Sequence, residues 1–100
     1  MKESELEARL VRGVKALGGK AYKFISPGNV GVPDRIVILP GGRIVFAELK
    51  TENGRLTLNQ THQINTLRHL GVEAWEVRGA KGVADALSVL RERLQDGDKT

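Results

Sequence analysis

Apolar residues along the chain recur with two different periods, and the places where the period changes divide it into elements. In "SELEARLVRGVKALGG" Leu6, Leu10, Val14 and Leu17 fall at helical spacing, with Val11 widening the stripe. Ser4 is placed to cap this helix and Gly18-Gly19 to stop it. "KAYKFI" predicts a short strand, followed by the turn-rich "SPGNVGVP". "DRIVIL" and "RIVFAELK" flank "PGG", the pattern of an antiparallel hairpin, and "TENGRLT" then reads as a loop. A second helix is predicted over "LNQTHQINTLRHLG", with Ile64, Leu67 and Leu70 inward and Gly71 as its stop. "VEAWEV" predicts a further strand, and "GVADALSVLRERL" a last helix with Val83, Leu87, Leu90 and Leu94 in register. The order is α-β-β-β-α-β-α: an α/β fold with a single mixed sheet flanked by helices. One domain is expected over residues 1–95, with a frayed tail at 96–100.

Composition narrows the chemistry. The chain has no cysteine, which excludes disulfides, thiol catalysis and cysteine-ligated zinc. No apolar run approaches the ~20 residues of a membrane helix and no signal peptide opens the chain, so a cytosolic protein is expected, in a host's cytosol if viral. The net charge of +4 is unevenly spread. Between Arg9 and Lys81 there are 12 Lys/Arg against five acids, a balance that suits a polyanionic partner as well as it suits a solvated basic surface.

The end of the second hairpin strand is unusual. Glu48 and Lys50 stand two apart, so they share a face with Ile44 and Phe46, in what reads as the strand's inward row. Pairing the hairpin about Gly41 sets Asp34 directly opposite Glu48 and therefore on the same face. A two-residue Gly41-Gly42 turn would pair Asp34 with Leu49 instead, so convergence demands a three- or five-residue loop, or a bulge. Two converging carboxylates suit a hard divalent cation, Mg²⁺ or Mn²⁺. Lys50 beside them adds a point charge that can orient an attacking water or stabilise a transition state. The plain alternative is surface pairing of Asp34 and Glu48 with Arg35, Arg43 or Lys50.

Two helical residues belong with this group. Glu7 lies on the apolar stripe between Val11 and Val14, where a carboxylate needs a partner; it serves either the metal site or a Ser4-x-x-Glu7 capping box. Gln60, in line with Ile64 and Leu67, is an inward amide that the acidic centre could satisfy, or else a glutamine at the edge of the core. His62 and His69 share the opposite, exposed face and are poor candidates for catalysis or zinc.

The helix bearing Glu7, "GVPDRIVILPGG", "FAELKTENGRLTLNQ" and "LRHLGVEAWEVRG" together resemble the VRR-NUC domain, a branch of the PD-(D/E)xK nucleases, over roughly Leu6 to Val83. The resemblance implies a restriction-endonuclease-like fold in which Asp34 and Glu48 bind Mg²⁺ or Mn²⁺, with the Leu49 carbonyl as a further ligand. It also implies that Lys50 is catalytic, that Glu7 completes the metal site directly or through water, and that Gln60 supports it. Stand-alone members resemble homodimeric, structure-selective DNA endonucleases that resolve four-way (Holliday) junctions; members fused to larger repair proteins act on flaps. The implied partner is branched DNA, with no membrane. Arg9, Arg12, Lys15, Lys23, Arg35, Arg43 and Arg55 are the candidates for phosphate contact. The competing function is a non-catalytic nucleic-acid-binding or assembly domain that keeps the fold.

Overall fold

The computed structural model describes residues 1–97. Helix α1 (Glu3–Ala16) leads into strand β1 (Lys20–Lys23), then β2 (Arg35–Ile38), β3 (Ile44–Lys50), α2 (Leu58–His69), β4 (Glu73–Arg78) and α3 (Gly79–Gly97). The expected order and the α/β class hold. The four strands form one sheet in the order β1-β2-β3-β4, antiparallel except for the parallel pair β3–β4 that α2 connects.

One face of the sheet carries the main core. Leu6, Leu10 and Val14 of α1 and Val83, Ala86 and Leu90 of α3 close over Ala21, Val37, Val45, Ala47, Leu49 and Val77. Truncating one of the buried leucines to alanine should cost about 2–5 kcal/mol. The alternation of β3 is thus the reverse of the expected one: Val45, Ala47 and Leu49 point into this core, whereas Ile44 is exposed and Phe46 half-buried on the other face. The pattern was ambiguous because both rows of β3 begin with apolar residues. On that second face α2 packs on β4, with Ile64 and Ala74 buried. Phe24 and Phe46 pack in a tilted pair with ring centroids 5.4 Å apart. Away from the Glu48 end of β3 this face is more open, and Tyr22 and Ile44 remain 48% and 47% exposed.

The ends of the helices differ from expectation. The N-cap of α1 is Lys2 rather than Ser4; its N–H is weakly satisfied by the Glu5 carboxylate at 3.4 Å, and the Ser4–Glu7 capping box does not form. Leu70 caps the end of α2 and is exposed rather than inward, because the helix stops there, at Gly71. α3 begins at Gly79, directly after β4, and runs through Asp96 and Gly97; the remainder of the expected frayed tail lies outside the described residues.

The hairpin turn sets the register that the chemistry needs. Leu39 N–H donates to the Arg43 carbonyl, leaving a three-residue loop, and Gly42 N–H donates to the Leu39 carbonyl across Pro40-Gly41. Gly41 and Gly42 both have positive φ, 91° and 87°, which a side chain would resist. The resulting pairs, Arg35 with Ala47 through Ile38 with Ile44, place Asp34 opposite Glu48 when extended by one residue.

Candidate active site

The site forms where β2 begins and β3 ends, beside the start of α2 and the first turn of α1. Pro33 is buried and Asp34 follows it just before β2. One carboxylate oxygen of Asp34, Oδ2, accepts from the Leu49 N–H at 3.0 Å, which fixes the acid across the strand pair. Glu48 is 1% exposed. Its Oε2 accepts from Gln60 Nε2 at 3.2 Å and lies 3.6 Å from Lys50 Nζ, while its Oε1 is buried without a hydrogen-bond partner. Burial above all, then the neighbouring Asp34 charge, push the Glu48 carboxyl up to about 8, against the opposing pull of Lys50. An acid this costly to ionise, with one oxygen unsatisfied, is what a cation would stabilise.

Gln60 is oriented by its helix cap. Thr57 Oγ1 accepts from Gln60 N–H at 3.1 Å and Gln60 Oε1 accepts from Thr57 N–H at 2.9 Å, a reciprocal capping box. With its oxygen occupied in this way, the amide turns its NH₂ toward Glu48. The sequence placed Gln60 near the acids; it did not show that the cap aims it.

A third carboxylate joins the two expected ones, and it is not Glu7. Oxygen atoms of Glu3, Asp34 and Glu48 all lie within 4.8 Å of one another. Glu7 Oε1 instead accepts from Arg35 Nε at 2.7 Å and lies 3.7 Å from Lys23 Nζ. Strand alternation explains this. Arg35 pairs with Ala47 on the face covered by α1, whereas Asp34 and Glu48 are directed to the other side. Glu7 is over the sheet on the α1 side, and only the first turn of the helix reaches the cluster. The signal for Glu3 was present: it precedes Glu7 by four residues and extends the Leu6–Leu10–Val14 stripe by one turn.

The basic candidates separate. Arg35 is committed to Glu7 and to the Ala21 carbonyl, so it is not a free phosphate contact. Arg9, Arg12 and Lys15 are exposed on the outside of α1, which leads away from the cluster; Lys15 is about 18 Å of helix beyond Glu3. Lys23, Arg43 and Arg55 are exposed, Arg43 by the hairpin turn at the far end of β3 from Lys50. His62 and His69 are exposed, as expected. Arg78, which sequence reasoning did not single out, clamps the loop after Lys50. Its Nη1 donates to the carbonyls of Thr51 at 3.2 Å and Glu52 at 3.4 Å and to that of Gly54, and its Nη2 pairs with Glu76.

No protein-family model matches the chain. It is 45% identical over 71 residues, 71% of this chain and 76% of the other, to the protein named "Putative nuclease p44" of Acyrthosiphon pisum secondary endosymbiont phage 1. It is also similar to a solved structure described as a "VRR_NUC domain", with a TM-score of 0.81 and 31% identity, over 86% of this chain and 94% of that one.

Proposed function

The chain belongs to the VRR-NUC family, and from that premise we propose that it is a metal-dependent, structure-selective DNA endonuclease that resolves four-way junctions. The observation that carries the reading is the convergence of Glu3, Asp34 and Glu48 beside Lys50, with Glu48 buried and one of its oxygens unsatisfied. An all-oxygen donor set of this kind fits Mg²⁺ or Mn²⁺. Asp34, Glu48 and Glu3 would hold the ion, with the Leu49 carbonyl as a further ligand, and Glu7 would act one step removed by holding Arg35. A bound divalent ion supplies charge neutralisation at the scissile phosphate and acidifies water there.

The protein's own groups do the rest. Asp34 spends one oxygen on the Leu49 N–H and offers the other to the site. Gln60 keeps Glu48 Oε2 in place, so that its ionised form is presented rather than rotated away. Lys50, with a side chain only 12% exposed, keeps its ammonium at the site, where it orients the attacking water and stabilises the charge that builds on the phosphate. Arg78 holds the loop that leaves Lys50 and carries Arg55 toward the DNA backbone.

Resolution requires paired cuts on symmetry-related strands, and one chain supplies one such cluster; a C₂ homodimer would supply two. What supports self-association is the bare apolar surface of β1–β3, around Tyr22 and Ile44. No helix among the described residues is long and apolar enough to cross a membrane, and the phage relative suits work in a host cytoplasm. The test is cleavage of four-way junction, flap and linear duplex side by side in Mn²⁺, with and without chelator, alongside sedimentation at several concentrations. A protein that binds these DNAs but cuts none with metal present is a binding domain, not a nuclease.

A further inference from the structure

Three large apolar side chains stand in solvent beside the site, and the core has no use for them. Ile25 and Val30 are each 73% exposed, and Leu58 is 90% exposed. Scattered exposed leucines need no explanation, but a group on one rigid rim does. Ile25 and Val30 flank the turn Ser26–Asn29, closed by Asn29 N–H to the Ser26 carbonyl at 3.1 Å and by Asn29 Nδ2 to Ser26 Oγ at 2.9 Å. A closed four-residue turn brings its flanking residues together.

The segment is anchored at both ends next to the carboxylates. Phe24 N–H donates to the Asp34 carbonyl at 2.9 Å, one residue before Ile25. Gln63 Nε2 donates to the Val30 carbonyl at 3.4 Å, and Gly31 packs so tightly on α2 that a Cβ there would lie 2.5 Å from the Asn59 carbonyl carbon. Val30 is therefore seated by the first turns of α2, where Leu58 is the first residue and Gln60, two residues on, bonds to Glu48. Exposed Lys23 and Arg55 flank this rim in sequence.

We propose that Ile25, Val30 and Leu58 form an apolar wedge that stacks against base faces opened at a DNA branch, and so select branched over continuous duplex. This rests on the DNA-nuclease reading and adds the substrate feature recognised. A continuous duplex keeps its base faces stacked inside and offers phosphates and polar groove edges, to which aliphatic tips contribute little. A branch point opens base faces, and aliphatic wedges are suited to them. The chain path sets an upper limit of about 15 Å between Val30 and Asp34, four residues at 3.8 Å per step. At about 3.4 Å per nucleotide the cut should then fall within about four nucleotides of the branch.

The experiment uses the full chain with Ile25→Ser, Val30→Ser and Leu58→Ser combined, and Leu70→Ser as a control at the far end of α2. The first readout is the ratio of four-way-junction to linear-duplex cleavage in Mn²⁺. It should fall about tenfold or more in the triple variant, the loss expected for one stacked base, and stay unchanged in the control. The second is the fluorescence of 2-aminopurine placed at the branch, in chelator: wild type should perturb it and the triple variant should not. The third is sedimentation, which should show the same association state for both proteins. A triple variant that keeps its ratio and its 2-aminopurine response overturns the wedge; one that loses self-association reassigns the patch to a contact between copies. If wild type perturbs the branch probe yet cuts no DNA in Mn²⁺, the wedge stands and the nuclease reading fails.

Discussion

Removing the charge of Glu48 should make the metal-free protein more stable at neutral and alkaline pH. The perturbation is Glu48→Gln, which preserves shape and the chance of a hydrogen bond to Gln60. The Glu48 carboxyl is displaced from 4.5 to about 8, first by burial and second by Asp34. Because the folded pKa is raised, the folded state holds a proton that the unfolded chain releases between those values. Stability from this group is complete below pH 4.5 and is lost as pH rises toward 8. At about 1.36 kcal/mol per pH unit the whole displacement amounts to about 5 kcal/mol. Glutamine has no such dependence. Thermal melts in chelator from pH 5 to 9 should therefore show wild type and variant together at the acid end. At the alkaline end the variant should melt higher by about 10 °C or more, at ~4–8 °C per kcal/mol for a domain of this size. Mn²⁺ should abolish most of the wild-type slope, because it binds the ionised acid, and leave the variant unmoved. A variant less stable than wild type at pH 8 in chelator would refute the argument, since it would mean that Glu48 is held as a favourable ion pair with Lys50.

Four further variants have expected outcomes. Lys50→Ala should abolish cleavage while calorimetric titration shows Mn²⁺ affinity within about threefold of wild type, because an ammonium assists the phosphate but ligates no cation; cutting at the parental rate contradicts its role. Glu3→Gln should weaken Mn²⁺ binding with little change in stability. Glu7→Gln should leave the binding nearly intact but cost about 1–3 kcal/mol in urea melts, by removing the counter-charge of the part-buried Arg35 guanidinium; the reverse pattern would restore Glu7 to the metal. Gly31→Ala, at φ 93° and against the Asn59 backbone, should lower stability by at least about 1 kcal/mol and raise protease sensitivity at residues 25–33, and an unchanged digest would show that the segment is not docked as described.

Much of this was written in the chain at the level of period and turn. Helical stripes in α1 and α3 were legible because they rest on local rules; the hairpin loop was legible in place but not in length, which only the demand that Asp34 meet Glu48 made odd, and the observed register meets that demand. The orientation of β3 was not, since Ile44 and Phe46 are as apolar as Val45 and Leu49; only the helices packed on one side decide which row is the core. Glu7 was misplaced for the same reason. Its position on the apolar stripe showed that it faces the sheet, but the sheet's parity gives that side Arg35 and not the acids. Arg78 was illegible because its partners are main-chain carbonyls, 24 to 27 residues away, which leave no mark in side-chain patterning.

The separation of the two sheet faces has a consequence for how such a domain can change over evolutionary time. Substitutions in α1 beyond its first turn, or in α3, alter only the face that holds the molecule together, so drift there can add or remove stability without disturbing the acids. The opposite face can exchange its loops for a new DNA shape while the scaffold beneath stays fixed. β3 joins the two at the site itself, with Ala47 and Leu49 committed to one side and Glu48 and Lys50 to the other. Those four consecutive positions are where the domain's tolerance of sequence change should be narrowest, and a deep mutational scan scored separately for folding and for cutting would find the two maps overlapping there and diverging elsewhere.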